Sequence, residues 1–65
     1  GSGCIEATEA TTAAAAAYAA TDTTDPNYTA VCTTYKEALL AQITACGDTG
    51  GVLQTIVDSL GDCTP

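Results

Sequence analysis

The sequence predicts an all-α fold, a small up-down-up three-helix bundle stapled by two disulfides. Three observations carry that prediction. Apolar residues recur at spacings of three and four, the period of a helix rather than of a strand. Alanine, the best helix former, supplies 13 of 65 residues and crowds the first third of the chain. Four cysteines, Cys4, Cys32, Cys46 and Cys63, form an even set of the kind small secreted domains use as staples.

The first helix is read over residues 5–20, which hold nine of the alanines, including the run from Ala13 to Ala17. Glu6 and Glu9 are placed in its first turn, where carboxylates complement the positive end of the helix dipole. Its inner face is expected at Ala7, Ala10 or Thr11, Ala14, and Ala17 or Tyr18, with Ile5 near the start. Side chains that small let a neighbouring helix come close. Residues 21–25 have no period and read as a loop. Asp25 and Pro26 are expected to open the second helix, as cap and first helical residue. From Tyr28 the series Tyr28, Val31, Cys32, Tyr35, Leu39, Ile43 and Cys46 keeps helical spacing for five turns, and Gly47 stands where helices commonly stop. Residues 47–51 make a turn. Val52, Leu53, Ile56, Val57 and Leu60 define a shorter third helix that Gly61 ends. Residues 1–3 read as a cloning scar or linker outside the fold, which leaves residues 4–65 as one domain of a longer secreted precursor.

Helix geometry then sorts the cysteines. Cys32 and Cys46 lie 14 residues apart on one helix, about 21 Å at 1.5 Å per residue, too far to bond. In an up-down-up bundle Cys4 opens the first helix at the end where Cys46 closes the second. The third helix climbs from that end and brings Cys63 to about the height of Cys32. The expected pairs are therefore Cys4–Cys46 and Cys32–Cys63. Cys4 as a lipid-attachment site is the alternative, and the even count disfavours it because a partner would be stranded. A zinc site is disfavoured because no two cysteines are closer than 14 residues and there is no His.

Composition shows why staples matter. Leu, Ile and Val together supply only ten residues, Phe none, and the net charge is −7, a balance near that of disordered chains. Without His, Arg, Met or Trp, and with Lys36 the single cation, the commonest general bases and phosphate clamps are missing. The negative surface repels phosphates, so nucleic acid is not an expected partner, nor is an anionic membrane. No run of 18 apolar residues exists, so no membrane insertion by this domain is expected.

Several groups of polar residues bear on chemistry. Asp22, Asp25 and Asn27 alternate like the start of a calcium loop but lack its central Gly and terminal Glu. Asp48 and Asp62 read as solvated turn residues, and Lys36 as a solvated surface residue. Ser59 with Lys36 as a nucleophile and base would need a buried lysine, for which the core is too thin. Threonines recur at a spacing of 11 in two series, Thr12, Thr23, Thr34 and Thr33, Thr44, Thr55, a pattern known from ice-binding helices. Here loops and helix changes interrupt both series. Asn27-Tyr28-Thr29 is a glycosylation sequon. The only aromatic residues are Tyr18, Tyr28 and Tyr35. No catalytic, metal or cofactor-binding residue is assigned, and no enzyme is expected.

The stretch Tyr28, Cys32, Tyr35-Lys36, Ala38-Leu39, Gln42-Ile43 and Cys46-Gly47-Asp48, continued by Leu53-Gln54, Ile56 and Leu60-Gly61-Asp62-Cys63, resembles a Cys-containing helical module of secreted lipoproteins in flavobacteria and other Bacteroidetes. The resemblance spans residues 28–63 and carries no assigned activity. It implies an extracellular or cell-surface setting behind a lipid anchor. The expected function is a monomeric structural or interaction module with a protein or surface partner. A diffusible binding or signalling protein, pheromone-like, is the alternative, and ice binding the remote one.

Overall fold

The computed structural model describes residues 2–64, Ser2 by its backbone alone. Helix α1 spans Ser2–Ala19, α2 spans Tyr28–Cys46, a short 3-10 turn covers Thr49–Gly51, and α3 spans Val52–Leu60. The fold is the small all-α bundle that the periodicity predicts. The cysteines pair as helix geometry requires, Cys4 with Cys46 and Cys32 with Cys63, at Cα separations of 4.9 and 5.5 Å.

The packing is asymmetric. α1 lies antiparallel against α2, and α3 returns along α2; among the described residues no Cα of α1 comes within 8 Å of one of α3. The resulting shape is flat, 37 × 20 × 13 Å, with α2 as its spine. The cause is in the side chains. α1 offers mostly alanine and threonine, which suffice for one close interface, whereas α3 carries its apolar residues on a single stripe. The buried core is correspondingly small: Ala14, Cys32, Leu39, Val57 and Cys63.

On α1 the inner face is Cys4, Ala7, Thr11, Ala14 and Tyr18, while Ala10 and Ala17 are exposed. Ile5, expected near that face, is instead 62% exposed. Successive helical residues point about 100° apart, so turning Cys4 toward Cys46 swings Ile5 outward. Thr11 joins the two helices: its hydroxyl lies 2.9 Å from the Ala7 carbonyl of its own helix and 3.1 Å from that of Ala38 on α2.

The starts of two helices differ from the sequence reading. Ser2 and Gly3, placed outside the fold, are helical; extending a helix is far cheaper than starting one. Glu6 and Glu9 consequently fall beyond the first turn. α2 begins at Tyr28 rather than Pro26, because residues 25–28 close a separate turn in which the Tyr28 amide donates to the Asp25 carbonyl at 3.0 Å. The Asp25 carboxylate caps that turn, accepting the Asn27 amide at 2.8 Å.

The link from α2 to α3 depends on backbone freedom. Gly50 and Gly51 have φ of +83° and +72°, in the left-handed region that side chains with a Cβ disfavour. Among the described residues Cys63 is the one non-glycine with positive φ, at 59°, and its side chain is held in the buried disulfide.

Candidate functional site

Charged side chains gather first at the two ends of α3. The Asp48 carboxylate accepts the Leu53 amide at one oxygen and the Gln54 amide at the other, both at 2.9 Å. These are two of the donors that the start of any helix leaves open, and a negative charge there also meets the positive end of the dipole. At the opposite end the Lys36 ammonium, carried by α2, donates to the Gly61 carbonyl at 2.6 Å. A cation at that position complements the negative end. Asp48 and Lys36 are both half-buried. The sequence pattern predicts both as solvated; the structure instead draws each against an end of α3.

The signal for Asp48 was hidden by spacing. A helix cap ordinarily stands two or three residues before the amide it accepts, and here the gap is five and six because the Gly50–Gly51 turn folds back. Lys36 had no local signal at all, since its partner lies 25 residues on. Lys36 and Ser59 are not paired: the Ser59 hydroxyl donates to the Ile56 carbonyl at 2.7 Å. Asp58 accepts from the Gln54 amide group at 3.0 Å across one turn of α3.

The carboxylates of the first loop serve their own turn. Asp22 accepts the Thr24 amide at 3.3 Å and Asp25 that of Asn27. Among the described residues no three Cys, Asp or Glu side chains converge on a point. The threonines follow a common rule as well. Thr8, Thr12, Thr34, Thr44 and Thr55 each donate to the carbonyl four residues back, so these hydroxyl protons are engaged by their own helices. The spacing of 11 does not make a row: Thr12 lies on α1, Thr23 in the loop, Thr34 on α2 and Thr55 on α3.

The tyrosines are brought together where α1 ends and α2 begins. The Tyr18 ring sits 5.9 Å from that of Tyr28 and 5.3 Å from that of Tyr35, tilted by 43° and 34°. The hydroxyls of Tyr18 and Tyr28 share a hydrogen bond of 3.3 Å. That bond, with some loss of hydration and the repulsion between two phenolates, pushes the Tyr28 pKa above its ordinary value. On the same stretch of the hairpin an open groove of about 300 Å³ is lined by Ala14, Ala17, Asn27, Ala30, Val31 and Thr34. At the other end of the hairpin the Cys4–Cys46 link lies near the surface, with Cys46 exposed, whereas Cys32 and Cys63 are buried.

Compared with known protein families, curated proteins and solved structures, the chain matches none. The physical observations therefore carry the functional reading. Among the described residues no helix is long and apolar enough to cross a membrane. Two disulfides in 65 residues are the cysteine usage of an oxidising, extracellular-type environment.

Proposed function

We propose that this chain is a structural or interaction module of an extracellular or cell-surface protein, without catalytic activity of its own. The observation that carries the reading is the Cys32–Cys63 link, which supplies two of the buried side chains in a core otherwise limited to Ala14, Leu39 and Val57. A core with so few large apolar groups needs covalent closure at this size, and closure of that kind persists outside the reducing cytosol. The charged groups support the same reading. Asp22, Asp25, Asp48 and Lys36 are occupied in turns and helix ends, roles that build a scaffold rather than perform chemistry. The resemblance of residues 28–63 to a module of Bacteroidetes lipoproteins points to the same setting.

An antibody against the folded domain, applied to intact cells of the encoding organism, tests the proposal. Surface staining that external protease removes, with both disulfides intact on non-reducing mapping, is the expected result. A chain found only after permeabilisation, with its thiols reduced, overturns it. A shift of the ice-crystal habit by the purified domain would overturn the interaction-module reading in favour of ice binding.

A further inference from the structure

We propose that Tyr18 and Tyr28 form an oxidative cross-linking site, which one-electron oxidation converts into a dityrosine joining α1 to α2. Geometry carries the inference. The two hydroxyls are 3.3 Å apart and the ring centroids 5.9 Å apart, so the rings come closest at their hydroxyl ends, beside the ortho carbons where phenoxyl radicals couple. Composition removes the competitors: the chain has no Met, Trp or His and no free cysteine, so oxidation falls on the three tyrosines. All three are partly exposed, within reach of an oxidant. Position gives the link a consequence. Cys4–Cys46 ties the hairpin at one end, and among the described residues no covalent bond ties its other end, where Tyr18 and Tyr28 meet.

The co-reactant is a peroxide acting through a haem peroxidase. Each phenol gives up one electron and one proton, and the resulting pair of radicals forms a carbon–carbon bond between ring positions ortho to the oxygens. The hydrogen displaced from each ortho carbon returns to its phenol oxygen as aromaticity is restored. Two hydrogen atoms leave the protein, and one hydrogen peroxide becomes two waters. The inference stands on the fold alone and does not depend on where the protein resides.

The test treats the purified, disulfide-intact protein, dilute, with hydrogen peroxide and a haem peroxidase. The expected product is a monomer lighter by two hydrogen atoms, with the blue fluorescence of a biphenol and a raised thermal midpoint. After reduction and cleavage before Asp22 and Asp25, Tyr18 and Tyr28 leave on separate peptides, and the product holds them together. Tyr35 leaves on the same peptide as Tyr28, so fragmentation of the linked peptides from the unaltered chain decides the pair, together with Tyr35→Phe, which keeps the product, and Tyr28→Phe, which loses it. Covalent dimers in place of the cross-linked monomer overturn the proposal. So does a Tyr18–Tyr35 link that Tyr28→Phe leaves intact, or an equal yield from protein unfolded in urea.

Discussion

Removing the disulfides one at a time should expose a difference that the sequence separations alone would not predict. The two links close loops with sequence separations of 42 and 31, so the chain-entropy model assigns each ~4 kcal/mol. Their surroundings differ. Cys46 is exposed, whereas Cys32 and Cys63 are 0% and 3% exposed and belong with Leu39 and Val57 to the buried core. The double variant Cys4→Ala with Cys46→Ala should therefore lose about the loop contribution and little packing. Cys32→Ala with Cys63→Ala should lose that and about 1–3 kcal/mol more, for the space the sulfur atoms leave. Domains of this size rarely hold more than about 5 kcal/mol from the core alone. The first variant is thus expected to keep a cooperative but earlier urea transition, and the second to have none at 25 °C. Far-ultraviolet circular dichroism through a urea series measures both. Equal losses, or a larger loss for the exposed pair, would refute the argument that the buried link is part of the core. A fully reduced protein with an unchanged transition would remove the need for staples altogether.

Other substitutions probe single contacts. Asp48→Ala leaves two amides of α3 without an acceptor and should cost about 1–2 kcal/mol in the same urea series; an unchanged midpoint would mean water replaces the carboxylate. Lys36→Met keeps the packed stem but removes the charge at the Gly61 carbonyl, with an expected loss of about 0.3–1 kcal/mol that shrinks in high salt. Gly51→Ala has open space around it yet forces a left-handed backbone, so about 1–2 kcal/mol should be lost despite the absence of any clash. The Tyr28 pKa is raised in the folded state, so the stability it contributes is present below the unfolded phenol value and lost as pH rises through the folded one. An ultraviolet titration should show the Tyr28 phenol ionising late, and Tyr18→Phe should bring it back toward its ordinary value.

What the sequence by itself determined was everything that follows from distance along the chain. A helix rises a fixed amount per residue, so 14 residues between Cys32 and Cys46 exclude their bond, and the length of the third helix carries Cys63 to the height of Cys32. The stripes on α2 and α3, and most of that on α1, were legible because burial of one face imposes a period that local composition records. What only the tertiary structure decided was the direction of approach. Whether Ile5 faces in or out depends on how α1 rotates to bring Cys4 to Cys46. That α3 packs on α2 alone depends on which of two neighbours offers larger apolar groups. Lys36 meets the end of α3, and Tyr18 meets Tyr28 and Tyr35, only because separate helices converge there. Asp48 caps α3 through a turn that two glycines fold back on itself. Contacts of this kind join groups that carry no mutual signal in the chain, since Coulomb attraction, hydrogen bonding and ring packing depend on separation in space and not on separation in sequence.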